Sequence, residues 1–565
     1  MTQNQLRFVP LGGVGEFGGN LALYGYGDKW IMLDCGLAFA DDTQPGVDIL
    51  VPDPAFITAQ RDKLLAIVLT HAHEDHLGAV QYLWPQLRCP VYATPFAAAI
   101  LRSKLEEGGL LGQVPLRVVP VGGSATIGDF TVSYIGVTHS ILEAHSIAIR
   151  TPAGTVVHSG DWKIDPEPGV GKLTDEAALR ALGDAGVLAL MGDSTNALSN
   201  GHSGSEGSLR APLRQLIADA KGAVAVGLFA SNAARIETIC EAAAANDRVV
   251  AMVGRSLWRT VTAARECGYL RNLPPILEED EAERIPREHL LYVVTGCQGE
   301  PRAALSRIAT GEHRNIRFGR GYTVIFSSKV IPGNERPIAR IVNALVRSGV
   351  KVVTERDHKV HVSGHPNRDE LKQMIAWLRP KVVVPVHGAH PMLEGHAELA
   401  RSEGVDALVI SDGDMLRFTA NGAEVVERID TGRLAVSGSG PIPLDAIAIQ
   451  ARRRMMFNGA ATVILVLDAD GEPAAPARLL LRGIDLPDGA EDKIRRVAEE
   501  RVRDLPRVRR RVDPEIDLAV RQALRGELRA FTNQRPAIDV EIVRVGSDAR
   551  VAAEPRAGAR RAGGD

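Results

Sequence analysis

The segment Thr70-His71-Ala72-His73-Glu74-Asp75-His76-Leu77-Gly78 places three imidazoles and two carboxylates directly after the apolar run Leu64 to Leu69. His71 and His73 are two apart, so on an extended chain they point the same way. A turn after them carries Asp75 and His76 to a second point in space. One short segment can therefore serve two metal ions, and imidazole nitrogen with carboxylate oxygen suits Zn²⁺ or Mn²⁺. The bland alternative, a polar turn rich in histidine, is the weaker reading, because histidines without partners are costly to bury.

Three later segments each put a residue of ligand type after an apolar strand: Val137-Thr138-His139-Ser140, His158-Ser159-Gly160-Asp161 and Val384-Pro385-Val386-His387-Gly388. Strand ends on one side of a sheet can converge on one cleft. Each of His139, Asp161 and His387, taken alone, also reads as a capped turn or a satisfied polar core residue. The run Gly13-Val14-Gly15-Glu16-Phe17-Gly18 matches the glycine fingerprint of dinucleotide-binding folds, with Asp34 downstream. That fingerprint needs a helix after its glycines, whereas Asn20 to Asp34 alternates around Gly25-Tyr26-Gly27-Asp28 as a hairpin does. A glycine turn lining the metal cleft is the better account.

These elements must be positioned by a large chain. At 565 residues it exceeds one hydrophobic core, and about three domains are expected. No apolar run reaches the ~18 residues of a membrane span, and the start Met-Thr-Gln-Asn-Gln-Leu-Arg is unlike an export signal. The five cysteines are odd in number and form no C-x-x-C pair, which speaks against a disulfide framework and a thiolate zinc site. A cytoplasmic protein is expected. With a net charge of −3, attraction to a polyanion must come from a local groove.

Strands are predicted at Gln5 to Leu11, Leu21 to Tyr26, Lys29 to Asp34, Leu64 to Thr70, Val91 to Ala93, Thr131 to Val137, His145 to Arg150 and Thr155 to Ser159, with helices between. The Gly- and Ser-rich stretch Asn200 to Gly207 reads as a boundary. Beyond it, strands Ala223 to Phe229, Val249 to Val253, Leu290 to Val294 and Thr323 to Ser327 alternate with helical segments, a parallel α/β pattern. A helix from Leu371, the strand Val382 to Val386, a linker after about Gly432, the strand Ala461 to Leu467, a charged helical stretch Glu491 to Phe531 and the strand Ala537 to Val545 follow. The tail Ala552 to Asp565 is expected to be disordered.

With these residues in view, the chain closely resembles the metallo-β-lactamase superfamily: Leu33-Asp34-Cys35-Gly36, the His71–His76 cluster, His139 and Asp161 look like its successive motifs. Met191-Gly192-Asp193-Ser194-Thr195-Asn196 and His361-Val362-Ser363-Gly364-His365 resemble signatures of its nucleic-acid-processing β-CASP family, with His387 in the third position. A histidine there is associated with RNA-acting members. Phe229-Ala230-Ser231-Asn232, Thr295-Gly296-Cys297-Gln298-Gly299-Glu300-Pro301 and Ser327-Ser328-Lys329-Val330-Ile331-Pro332-Gly333-Asn334-Glu335 resemble the bacterial ribonuclease J family. Two positions depart from that pattern: Ala389 where an acid is expected, and Cys297 where a small hydroxylated residue is usual.

The resemblance implies an α/β fold, a metallo-β-lactamase αββα sandwich (1–205 and 370–440) with an inserted β-CASP domain (206–369). A linker (441–455) would lead to a small α+β oligomerisation domain (456–551) and the tail (552–565). It implies two divalent ions, Zn²⁺ first and Mn²⁺ second, one held by His71, His73 and His139, the other by Asp75, His76 and His387, with Asp161 bridging and Asp34 orienting the ligands from behind. Asp75 and Asp161 would keep the ions and the attacking water in register, Asp193 would be the acid of its signature, and His365 is the candidate proton donor to the leaving 3′-oxygen.

Ser231, Asn232, His361, Ser363, Gly364 and His365 are candidate RNA and phosphate contacts. Asp193-Ser194-Thr195 and Ser231-Asn232 also read as helix caps. His361 and His365, at i and i+4, could be a helical metal pair, which Gly364 and Pro366 disfavour. The expected activity is 5′-to-3′ exonuclease action on single-stranded RNA bearing a 5′-monophosphate, with endonucleolytic cuts, in mRNA decay and rRNA processing. Expected partners are a second copy in a homodimer or homotetramer, an RNA-degradation complex, and no membrane. The Arg495 to Arg511 stretch either touches RNA or is a solvated face, since acids are interspersed. Two rivals are a hydrolase of small thioesters or lactams and a non-catalytic RNA-binding scaffold. The long insertion argues against the first and the intact ligand positions against the second.

Overall fold

The computed structural model describes residues 4–41, 43–420, 422–438 and 440–546. The expected tail lies outside the described residues. Two sheets form the first half. One has eight strands in the order Gly422–Arg428, Asp414–Thr419, Leu6–Gly12, Leu21–Tyr26, Lys29–Leu33, Leu64–Val68, Val91–Ala93 and Leu116–Val118. The other has seven, in the order Ser124–Ile127, Phe130–Gly136, His145–Thr151, Gly154–His158, Ala189–Asp193, Val382–Val386 and Asp406–Ala407.

Alternation explains how the sheets meet. Phe130, Val132 and Tyr134 share one face of their strand, and they pack in a single core with Phe8, Tyr24, Ile31, Val68, Met191 and Val384 from both sheets. Helices cover the outer faces. Val80–Leu87 and Pro95–Glu107 bury Leu83, Phe96 and Leu101 against the first sheet, and Glu176–Ala185, Arg368–Leu378 and His390–Ser402 bury Leu179, Ile375 and Leu399 against the second. The result is the αββα sandwich expected.

The insertion is a six-stranded, all-parallel sheet, Ile276–Leu277, Val249–Val253, Leu290–Val294, Val224–Gly227, Thr323–Phe326 and Lys351–Val353. Its central strands are apolar throughout because helices cover both faces. Two buried ion pairs fasten it to the sandwich. Lys163 Nζ lies 2.9 Å from Asp165, which accepts from the Glu206 backbone N–H, and Glu206 grips Arg235 at 2.9 Å through two guanidinium nitrogens. Arg235 donates onward to Ser327 and to the Val360 carbonyl, so all its charge is partnered.

The described residues of 40–48 and 442–546 form a second compact unit. Among its described residues, Pro473–Arg482, Ala460–Leu467 and Ala537–Arg544 form a three-stranded sheet, covered by the helices Ala490–Asp504 and Asp513–Thr532. The single helical stretch predicted from Glu491 to Phe531 is thus two helices. Pro506 breaks it, lacking an N–H to donate and disfavouring helical geometry at Leu505. Most of the segment expected to be a linker (441–455) is helix, which runs from Ile447 to Asn458 and past its expected end. No helix among the described residues is long and apolar enough to cross a membrane. All five cysteines are free thiols.

The glycine run near the start is followed by antiparallel strands rather than a helix, as the hairpin reading required. Val14 and Gly15 pair with Gly388 and Ala389, and the Gly13 carbonyl accepts from the His387 N–H at 3.0 Å. The turn is anchored by Asp412, whose Oδ1 accepts from the Val14 N–H at 3.1 Å. Burial, helped by Glu16, pushes the Asp412 carboxyl up to about 7. A carboxyl raised in the folded state loses stability as pH rises from its unfolded value near 4 to its folded value. Asp412→Asn keeps the acceptor and removes the charge. Its melting temperature is expected to exceed that of the wild type at pH 8 and to converge on it near pH 4, read from thermal melts across that range.

Candidate metal centre

The strand Leu64–Val68 delivers Thr70 to His76 at the end of the first sheet, where the chain turns into the short helix Glu74–Leu77. Its backbone is locked from the other side. Asn20 N–H donates to the Asp75 carbonyl, Cys35 N–H to that of His76 and Leu37 N–H to that of Glu74, at 2.7–3.0 Å. A Cβ on Gly36 would sit 1.6 Å from the Asp75 carbonyl oxygen, so the Leu33-Asp34-Cys35-Gly36 motif needs glycine for close approach. Lys104, buried on the helix Pro95–Glu107, reaches Glu74 at 2.5 Å and holds the turn from beneath.

Around this turn the structure collects all seven expected ligands in two overlapping groups: His71, His73, His139 and Asp161, and Asp75, His76, Asp161 and His387. In the first group His73 Nδ1 lies 3.1 Å from both His71 Nε2 and His139 Nε2, and each of the latter two is 3.8 Å from Asp161 Oδ2. In the second, His76 Nε2 is 3.5 Å from Asp75 Oδ2 and 3.2 Å from Asp161 Oδ2, and His387 Nε2 is 3.4 Å from Asp75 and 3.5 Å from Asp161. Ligands at ~2.0–2.1 Å from a tetrahedral zinc stand about 3.4 Å apart, so these separations fit the ion. Asp161 Oδ1 is buried with no hydrogen-bond partner, as suits a carboxylate meant for cations.

Outer nitrogens fix the rings. His76 Nδ1 is 2.7 Å from Asp34 Oδ2, and His71 Nδ1 is 2.9 Å from the Thr70 hydroxyl, which itself donates to Asp34. Asp34, with a left-handed φ of 59°, thus stands behind both rings. His139 Nδ1 donates to the Gly364 carbonyl at 2.6 Å. Burial lowers the basicity of His71 and His139, which keeps lone pairs available, and it takes His73 down to about 4. For His76 and His387 burial acts the same way, but Asp161 and its neighbouring carboxylates outweigh it and raise both. Carboxylates that draw cationic charge onto buried imidazoles mark a centre electrostatically prepared for metal ions.

Besides Lys104, two residues that contact ligand residues are not singled out by the sequence. Asn20 Nδ2 donates to the Asp75 carbonyl at 3.0 Å and lies 3.3 Å from its Oδ2, so a residue of the glycine turn steadies a ligand. Thr195 Oγ1 lies 2.8 Å from His387 Nδ1 and donates to Asp193 Oδ1 at 2.7 Å. Its hydroxyl two positions after Asp193 is the available signal, and in sequence it reads equally as part of a helix cap. Thr195→Val is expected to weaken divalent-metal affinity about 10–100-fold, measured by competition with a chromogenic chelator, while Thr195→Ser retains it. Equal affinity in the valine variant would refute the assignment.

The third group, Asp161, Asp193, His365 and His387, adjoins the first two. His365 Nδ1 is 2.8 Å from Asp193 Oδ2. Burial disfavours charge on His365, yet Asp193 outweighs it and raises the imidazole above its ordinary value. His361 and His365 are not a helical pair, because Val360 to His365 runs without helix.

The phosphate candidates divide. Ser231 Oγ, between the strand Val224–Gly227 and the helix Ala233–Ala244, lies 3.1 Å from His73 Nε2, so it reaches the centre. Ser363 Oγ accepts from Asn196 Nδ2 at 2.8 Å, and buried His361 Nδ1 has no partner. Asn232 does not serve as expected. Its side chain is instead engaged in capping the helix, accepting from the Arg235 N–H and donating to Glu206 at 3.3 Å. At Gly364 a Cβ would meet Ser140 Oγ at 2.6 Å and His139 Cε1 at 2.9 Å, so glycine there lets the chain pack against a ligand histidine.

Comparisons with known proteins agree with this architecture. Residues 14–224 match the metallo-beta-lactamase superfamily, 221–345 the ribonuclease J beta-CASP domain and 349–410 the Zn-dependent metallo-hydrolase RNA specificity domain. A ribonuclease J of Sinorhizobium meliloti (strain Sm2011) is 43% identical over 96% of this chain and 98% of its own length. The chain belongs to the ribonuclease J family. Another member, from Synechocystis, is 36% identical over 86% of this chain and 76% of its own length. In fold, the chain is similar to a solved protein of unknown function from Enterococcus faecalis V583, with a TM-score of 0.52 at 16% identity over 73% of this chain and all of that one. The family's metallo-β-lactamase fold implies divalent ions, and the His and Asp groups described above can hold them.

Proposed function

We propose that the chain is a hydrolytic ribonuclease that degrades single-stranded RNA from a 5′-monophosphorylated end and also cuts internally, in mRNA decay and rRNA processing. The observation that carries this reading is Asp161, shared by two tetrahedrally spaced ligand groups beside Ser231, Ser363 and His365. His71, His73 and His139 would hold one ion, Asp75, His76 and His387 the other, with Zn²⁺ favoured over Mn²⁺ by the nitrogen-rich set. When bound, two such ions lower the pKa of water to about 7 and stabilise charge on phosphoryl oxygens.

The chain's own residues do the rest. Asp75 and Asp161 keep the centre in register, and Asp34, Asn20 and Thr195 hold its ligands still. His365, kept protonated by Asp193, gives its proton to the 3′-oxygen as the phosphorus–oxygen bond breaks. Water supplies the new oxygen on phosphorus, so the products are a 5′-phosphate and a 3′-hydroxyl. Ser231, His361 and Ser363 offer donors to a terminal phosphate, spaced so that mononucleotides are released. The domain limits 1–205, 206–369, 370–440 and 456–551 belong to the same reading, as do a homodimer or homotetramer through the last of these, association with a degradation complex and a cytoplasmic location suited to free thiols.

The test uses RNA labelled at the 3′ end, carrying a 5′-monophosphate or a 5′-triphosphate, with Zn²⁺ or Mn²⁺ added. Progressive loss of the monophosphorylated RNA into mononucleotides, with the triphosphate resisting, is the expected outcome. Internal cuts alone would reduce the reading to an endonuclease, and no cleavage with either metal would favour a scaffold.

A further inference from the structure

Positive charge is unevenly spread along this chain. It carries 66 Lys and Arg against 69 Asp and Glu, yet between Arg302 and Lys359 there are twelve basic residues and four acidic ones. The helix Glu335–Arg347 orders part of that excess. Ile338, Ile341 and Leu345 are buried against the parallel sheet. Arg336, Arg340, Asn343 and Arg347 are exposed and recur at i, i+4, i+7 and i+11, which at about 100° per residue confines them to one narrow stripe opposite the buried face.

Arginines on a solvated helix normally alternate with acids, and the helices Glu176–Ala185, Ala490–Asp504 and Asp513–Thr532 do so. Arg180 pairs with Glu176 at 2.6 Å, Arg521 with Asp517 at 2.7 Å, Arg503 with Glu499 at 3.4 Å, and Arg495 with Asp492. Arg510 and Arg511 likewise pair with Glu472 and Asp470. Arg495, Arg503, Arg510, Arg511 and Arg521 are therefore partnered within the C-terminal unit. Arg336, Arg340 and Arg347 have no carboxylate partner among the described residues.

Position adds a second argument. The strands Val224–Gly227 and Thr323–Phe326 are parallel neighbours. The loop leaving the first carries Ser231 to within 3.1 Å of His73, so the loop leaving the second emerges at the same edge of the sheet. Gln298 pins that second loop, donating to the Lys329 carbonyl at 2.8 Å and accepting from the Ile331 N–H at 3.0 Å. The helix starts there and runs back along the sheet, so its stripe leads about 16 Å away from the catalytic edge.

We propose that this stripe is a second contact surface for the RNA backbone, one that holds the part of a long strand lying beyond the cleft. The inference rests on the ribonuclease reading and adds to it a contact outside the catalytic site. A nearly neutral protein needs such a local track to grip a polyanion, and guanidinium contacts to phosphates do so without reading sequence.

The test is binding, measured by fluorescence anisotropy with metals chelated, so that it is independent of cleavage. A hexanucleotide is compared with a long unstructured RNA, for wild type and for a variant carrying Arg336→Gln, Arg340→Gln and Arg347→Gln. For the long RNA the variant should bind about tenfold more weakly at physiological salt. Its slope of log K against log salt should flatten by about 2, since each lost phosphate contact on a single strand contributes about 0.7. Hexanucleotide binding and cleavage should be unchanged, and the matching triple lysine variant should retain the wild-type affinity. Unchanged affinity for the long RNA would overturn the proposal and point the stripe toward an acidic protein partner. Equal weakening for both RNAs would overturn it as a general structural effect. Failure of the wild type to cleave would refute the ribonuclease reading without deciding the binding comparison.

Discussion

Asp161→Asn is expected to lower the metal content from two ions per chain to one or fewer and to reduce RNA cleavage about 10³-fold or more, some 4 kcal/mol of transition-state stabilisation. Asp161 is the only residue common to all three candidate ligand groups. Its Oδ2 lies 3.2 Å from His76 Nε2 and 3.8 Å from both His71 and His139, and its Oδ1 is 3.5 Å from His387. Asparagine preserves volume but removes the charge that offsets two cations. It also turns one oxygen into a donor aimed at imidazole lone pairs. Elemental analysis of the purified variant, alongside its cleavage rate, provides the check. Two retained ions with cleavage within tenfold of wild type would remove Asp161 from the centre.

The second large effect concerns the proposed proton donor, His365. Asp193→Asn is expected to reduce kcat about 10²–10⁴-fold and to move the alkaline loss of activity to lower pH. Asp193 outweighs the burial that disfavours charge on His365 and so raises its pKa. An acid catalyst works while protonated, so activity is present below its pKa and lost as pH rises through it. Removing the carboxylate lowers that pKa. The same sign applies to stability, since a histidine raised in the folded state contributes stability that is complete below its unfolded pKa and lost as pH rises through the folded one. His365→Asn should lower kcat similarly and abolish the pH limb. A pH–rate profile of Asp193→Asn displaced upward or not at all, with metal content unchanged, would contradict the assignment.

Much of the centre was legible because its ligands are crowded in sequence. His71, His73, Asp75 and His76 fall within six positions, and a strand followed by a turn leaves few ways to arrange them. His139, Asp161 and His387 were legible because each follows an apolar strand, and strands of one sheet that end at the same edge bring their following residues together. The parallel insertion showed itself through apolar runs too uniform for half-exposed strands.

Other features could not be read locally. Glu491 to Phe531 keeps a helical pattern on both sides of Pro506, and the break depends on a single missing N–H. The strands Asp414–Thr419 and Gly422–Arg428 close the first sheet by pairing Phe8 with Leu416, across a separation that no periodicity encodes. Asn232 had the residue type of a phosphate ligand, but Glu206 and the helix end claimed its side chain.

The sequence by itself determined the chemistry of this protein: a dense imidazole and carboxylate cluster, matched by donors at later strand ends, which specifies a metal-dependent hydrolytic centre on an α/β scaffold. Only the tertiary structure decided which polar residues stand behind that centre. Asn20, Thr195 and Lys104 are ordinary residue types whose roles come from proximity alone, and proximity between distant segments arises from sheet pairing and core packing. Charge follows the same rule. Arginines at Arg495 and Arg336 look alike in sequence, and folding gives the first a carboxylate and leaves the second facing solvent.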